Sequence, residues 1–291
     1  MSQTFTITPR KRLLRTPRVL TVGEALRFGP DGLQPVGLAE EELDQVLGAP
    51  LDRVVVHVGV PGVSGRGCEL TVEDGAYSVR EFTPATPADW QITLSLLAGL
   101  SRHLKAPILG EDGTSWSAET ILEFDAASDI AVGLEAMTRR PGTIMPGVVR
   151  GVSLTPEMVE SIRQAPSPAD RFGEICTEIQ NEPGYDARLQ LLQDPDGNVV
   201  GVYALTQGVR TVLPRTPHLP PGQYPELRDE ELTWKLALVA DDVDGEELGV
   251  IGEVEYTVAM DRLGPDSFHL LDAASLVVHE RDGEGIRALA G

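Results

Sequence analysis

The stretch FTPATPADWQITLSLLAGLSRHL, residues 82–104, carries the strongest local signal in the chain. Thr86 is of the residue type that caps a helix N-terminus. Pro87 falls at the first helical position, and Asp89, three residues after the cap, completes a T-x-x-D form of the capping box. Trp90, Leu94, Leu97, Leu100 and Leu104 then recur at helical spacing, and Ile92 and Leu96 widen the stripe. The pattern predicts a helix over 86–104 with much of its surface buried. It leaves open whether that helix serves a site or only a core.

Upstream, GCELTVEDGAYSVREF (67–82) reads as a hairpin. Leu70 and Val72, then Tyr77 and Val79, alternate with polar residues, and Asp74-Gly75 supplies the turn chemistry. TFTIT (4–8) alternates like a short strand. TVGEALRFG predicts a helix beginning after Thr21, and LAEEELDQVLG (38–48) a second, with Leu43 and Leu47 on one face. DRVVVHVGV (52–60) is a nearly continuous apolar run, expected as a central strand covered on both faces. A helical tract starts at Ser117, breaks near Asp125 and resumes to Pro141. Thr155-Pro156-Glu157 and Ser167-Pro168-Ala169-Asp170 each start a further helix.

From 187 the period switches to two. ARLQLLQ, NVVGVYALTQ and VRTVLPR read as a meander, and PHLPPGQYP (217–225) as a Pro-rich connection. LTWKLALV, VIGEVEYTVAM and ASLVVHE read as three more strands. The expected fold class is α+β. An N-terminal lobe of hairpin plus helices spans 1–141, and a lobe of helices plus a mostly antiparallel sheet spans 148–291. PGTIMPG (141–147) is the expected hinge, unless the chain is one continuous domain.

The 291 residues carry a net charge of −21, with 24 basic and 45 acidic side chains. Such a chain repels phosphate backbones, so nucleic acid is disfavoured as a partner. Lysine occurs only at Lys11, Lys105 and Lys235, and asparagine only at Asn181 and Asn198, against 21 arginines. That usage fits GC-rich coding and a bacterial source. Cys68 and Cys176 form no C-x-x-C pair and read as reduced thiols of a cytoplasmic protein. No apolar run approaches the ~20 residues that span a bilayer, and MSQTFTITPRKRLL lacks the apolar centre of a secretory signal. A local exception to the charge is Arg10, Lys11, Arg12, Arg15 and Arg18, expected as an exposed loop against the acidic body, with an anionic partner as the alternative.

Site patterns are sparse. VVVHVGVPGVSGRGCE has Gly62 and Gly67 at G-x-x-x-x-G spacing, but Cys68-Glu69 stand where a phosphate loop needs Lys and Ser/Thr, and a strand follows where a helix should. Ser64 is not in G-x-S-x-G, because residue 66 is Arg. His57, His103, His218, His269 and His279 show no H-x-H or H-x-x-x-H spacing and read as scattered. Asp241, Asp242, Asp244, Glu246 and Glu247, and DPDGN at 194–198, lack the EF-hand pattern and read as solvated turns. No catalytic residue is assigned, and no cofactor or metal is expected. An unknown protein partner is possible, and a membrane is not expected.

The segment GVSGRGCELTVEDGAYSVREF is similar to the hairpin of forkhead-associated phosphopeptide-binding domains, in which case Arg66 alone would hold the phosphate. That family's S-R-x-H, G-R-S and N-G-T motifs are absent. Across most of its length the chain resembles a bacterial family catalogued only as a domain of unknown function, through TVGEAL, GVSGRG, ELTVEDGAYSVR, TPATPADW and LLDAASLVVH. That resemblance implies a bacterial cytoplasmic protein and supplies no active residues. The favoured reading is a non-catalytic binding or accessory protein. The alternatives are a hydrolase or transferase with an unrecognised site, or a degenerate phosphopeptide-binding module.

Overall fold

A computed structural model describes residues 2–10, 18–140, 142–220, 224–241 and 247–291. The fold is α+β, as expected, and the chain forms two compact units, Met1–Asn181 and Glu182–Gly291.

The first unit is built on a seven-stranded sheet. Its strands are β1 (Ser2–Ile7), β2 (Gln34–Pro35), β3 (Val56–Gly59), β4 (Cys68–Glu73), β5 (Ala76–Phe82), β6 (Ile108–Gly110) and β7 (Ser115–Trp116), in the spatial order β2-β3-β4-β5-β1-β6-β7. Every neighbouring pair is antiparallel. The β4–β5 turn places Asp74 at φ 50° and Gly75 at φ 78°, the two left-handed positions that a tight hairpin matching strand twist requires. The helices are α1 (Val22–Leu26), α2 (Glu40–Gly48), α3 (Pro87–Leu104), α4 (Ala126–Thr138), α5 (Pro156–Gln164) and α6 (Pro168–Asn181). α1 opens on a complete capping box between Thr21 and Glu24.

α3 is the opening stretch, capped by Thr86 and Asp89 with Pro87 in its first turn. It packs on β1 and β5 and touches α4 and α6. Trp90 stacks on Phe124 at 4.8 Å and meets Phe5 edge-on at 6.2 Å, and Leu96, Leu97 and Leu100 are fully buried. The helix therefore serves a core. Because α6 also packs on α3, residues 156–181 belong with this compact unit, which ends at Asn181. Around the end of the 141–147 segment, Met145 bridges Val152, and Val148 N donates to Gly65 O.

One strand expectation changes here, in both extent and position. Only Val56–Gly59 of the 52–60 run is strand, it lies one place from the sheet edge, and Val55 is 64% exposed. Asp52 and Arg53 make a turn instead of continuing the ladder. α2 forms as expected, but Leu43 and Leu47 are only half-buried.

The second unit holds β8 (Tyr185–Asp186), β9 (Gln190–Gln193), β10 (Val199–Thr206), β11 (Thr211–Pro214), β12 (Thr233–Asp241), β13 (Leu248–Glu255), α7 (Tyr256–Leu263), β14 (Phe268–Leu270), β15 (Ser275–Val278) and α8 (Gly283–Arg287). They make two four-stranded sheets, β13-β12-β10-β9 and β14-β15-β11-β8. Tyr203, Leu205, Leu213, Leu236, Leu238, Tyr256 and Val278 share one core. The expected meander breaks after β10, because VRTVLPR leaves for the other sheet. β12 then returns parallel to β10, a pairing that a tight hairpin cannot make. YTVAM is helix, not strand: Tyr256, Ala259 and Leu263 bury one helical face.

Candidate functional site

The glycine loop is the most site-like motif of the sequence, and its geometry is closed. Gly67 has φ 66°, and a Cβ there would come within 2.2 Å of Val58 O, so only glycine fits. The backbone N–H groups of Arg66 and Gly67 point inward together, the arrangement that cradles anions. The anion they hold is the chain's own. Both donate to the Asp89 carboxylate at 3.0 Å. The same carboxylate accepts from Thr86 N at 3.2 Å and from Thr86 Oγ1 at 2.7 Å. Asp89 thus caps α3 and clips the loop with one fully buried side chain.

Arg66 is equally committed. It is 3% exposed, its Nε donates to Pro146 O at 3.0 Å, its Nη1 donates to Pro84 O, and its guanidinium lies 5.2 Å from the Phe82 ring centre. Burial pushes its pKa down. The phosphate-holding role that the forkhead-associated resemblance implied for Arg66 fails on this geometry: the donors face backbone carbonyls inside the unit. His57, half-buried on β3, donates from Nε2 to Arg66 O, and burial lowers its pKa. Cys68 and Cys176 are buried thiols, both pushed up by desolvation.

Glu81 is the unexpected member of this cluster. It sits on β5 directly across from Cys68, has no exposed surface, and accepts a hydrogen bond from Thr93 Oγ1. Among the described residues its Oε1 has no hydrogen-bond partner. Burial first, and the nearby Asp89 second, raise its pKa well above the ordinary carboxylate value. A raised folded pKa has a definite linkage sign. Stability is full while both folded and unfolded chains are protonated, and it is lost as pH rises from the unfolded pKa through the folded one. Glu81→Gln, which mimics the protonated carboxyl, should therefore gain on the wild type above pH 5, by up to about 1.4 kcal/mol per pH unit. Urea unfolding at pH 5, 7 and 9 checks this, and parallel curves for the two proteins would contradict it.

The second unit brings together residues that the sequence leaves scattered. Antiparallel pairing of β14 and β15 sets His269 Nδ1 3.1 Å from His279 Nε2. His269 Nε2 lies 3.5 Å from the Glu182 carboxylate, which also pairs with Arg210. One ring donates and the other accepts, which links the half-buried Glu182 through His269 to the exposed His279. Among the described residues, no three metal-ligating side chains converge on one point.

A family model matches residues 2–289, nearly the whole chain. The chain belongs to the family Domain of unknown function (DUF4299). No curated protein and no solved structure matches it significantly. The matched span of the DUF4299 chain includes both the Asp89 clip and the histidine string.

The other expected features of this DUF4299 chain fall as follows. DPDGN is a solvated turn: the Asp194 carboxylate accepts from the backbone N–H of Asp196 at 3.0 Å and of Asn198 at 2.8 Å. Arg18 pairs with Glu24, and Arg10 is exposed, whereas Lys11, Arg12 and Arg15 lie outside the described residues, as do Asp242, Asp244 and Glu246. His103 stacks on Phe28 at 4.3 Å. Among the described residues no helix is long and apolar enough to cross a membrane. Sequence reading had identified Asp89 only as a cap. Its second role, and the buried Glu81, were missed because both depend on β4, β5 and α3 coming together.

Proposed function

We propose that this chain is a non-catalytic binding or accessory protein of the bacterial cytoplasm. The observation that carries this reading is the Asp89 clip. The glycine loop, which has the backbone geometry of an anion site, directs its Arg66 and Gly67 N–H groups to an internal carboxylate, and Nε and Nη1 of Arg66 to backbone carbonyls. A loop so filled holds a fold together, and the N–H pair that would cradle a nucleotide or phosphopeptide phosphate is already taken by Asp89. The acidic net charge argues in the same direction against nucleic acid. A hydrolase or transferase is the competing reading, and the Glu182–His269–His279 string is where its acid–base chemistry would lie.

Thermal shift of the purified protein against pooled metabolites separates the two. The expected result is no shift with any nucleotide, cofactor or small metabolite. A reproducible rise in Tm with one of them, lost on replacing His279 with Ala, would replace the accessory reading with an enzymatic one.

A further inference from the structure

Among the described residues β13 is the outer strand of its sheet, paired on one side only, with β12. Edge strands are normally blunted by charge, proline or cover, because their unpaired N–H and C=O groups template further pairing. This edge is partly unblunted. Leu248 is 59% and Val250 65% exposed, among the most exposed large apolar side chains of the described residues. Between them the exposed Gly249 carries no side chain, and nothing stands where its Cβ would be, so that face of the strand is uncovered. Ile251 is the extra residue of a one-residue bulge, and it turns toward the core instead of the solvent. Carboxylates bracket the apolar pair, with Glu247 on one side and Glu255 on the other, both exposed, while Glu253 between Val250 and Glu255 already pairs with Lys235 at 2.9 Å.

We infer that the Leu248–Glu255 edge takes up an extended, basic segment of a protein partner by strand addition. The partner segment carries apolar residues at alternate positions to cover Leu248 and Val250, and Lys or Arg beyond them to meet Glu247 and Glu255. Backbone pairing supplies affinity in this mode, and the alternating side chains with their flanking charges supply selection. The acidic bracket and the net charge of −21 select a cationic occupant and work against a second copy of this chain. The inference rests on the binding-protein reading and names the partner's chemistry.

Panning a phage-displayed library of random peptides against the full-length protein tests it. The enriched peptides are expected to alternate apolar residues and to carry Lys or Arg at their ends. Synthetic versions, followed by fluorescence anisotropy, should lose at least about tenfold in affinity against the double variant Leu248→Lys/Val250→Lys, and weaken as salt rises. Leu122→Lys, a substitution at an exposed leucine in the first unit, should bind as the wild type does. Hydrogen exchange should slow at the 248–255 amides when peptide is added. Failure to enrich any peptide, binding that survives in the double variant, or protection confined to another strand overturns the inference. So does a wild-type dimer that the double variant abolishes, since that would seat a second copy on the edge. A metabolite-induced Tm shift would defeat the binding-protein reading separately, without touching the peptide result.

Discussion

Replacing Asp89 with Ala should lower the unfolding free energy by roughly 4 kcal/mol or more, one of the two largest losses expected of any single substitution in the chain. Three backbone N–H groups, of Arg66, Gly67 and Thr86, would lose their acceptor together with the Thr86 hydroxyl. Each buried donor left unmade costs about 1–3 kcal/mol, and α3 loses its cap as well, worth about 1 kcal/mol. The Arg66 guanidinium would also lose a neighbouring negative charge inside the unit. Equilibrium urea unfolding measures the loss. Asp89→Asn serves if the alanine variant does not fold: it keeps the shape but turns an NH2 group toward N–H donors, so it should still cost roughly 2 kcal/mol. A loss below about 1 kcal/mol in the alanine variant would show that water replaces the carboxylate, and that the loop is open.

Trp90→Ala should cost roughly 3–5 kcal/mol. Its ring is 1% exposed and lies between Phe124, Phe5 and the sheet. Removing it takes away a large apolar area and the stacking with Phe124, and leaves a void that Phe5 and Phe124, held by their own neighbours, cannot fill by small shifts. Loss of tryptophan fluorescence change on unfolding, compared with the wild type, should accompany the destabilisation. A cost under about 0.5 kcal/mol would place the ring at the surface, and the apolar side of α3 would then be a groove for a partner.

What was legible from sequence was local. The caps of α1, α3 and α5, the Asp74-Gly75 turn and the alternation of β4 and β5 are each written within a few residues, and each formed as read. Reading failed where the deciding contact was distant. The period-two tract after 187 was correctly assigned to sheet, but nothing within VRTVLPR states that it pairs with β15 instead of β10. YTVAM carries β-branched residues that favour strand locally, yet Tyr256, Ala259 and Leu263 stand at helical spacing, and burial of that face decided the outcome. Glu81 occupies an ordinary alternating position of a hairpin. Only the packing of α3 over β5 turns it into a carboxyl without water. His269 and His279 meet because β14 and β15 pair antiparallel, a register that a spacing of ten residues does not announce.

Cys68 and Cys176 sit against the two sides of the Asp89 clip: Cys68 lies across from Glu81, and the Cys176 Cβ would stand 2.8 Å from a Cβ placed on Gly65. Both thiols are sealed from solvent and held in the protonated form, so neither offers the thiolate on which alkylating reagents and peroxides act. The folded chain is therefore indifferent to oxidants that would inactivate a protein with an accessible cysteine. The rate at which a thiol reagent consumes these two residues becomes a clock for how often the first unit opens far enough to expose the chain beneath its clip.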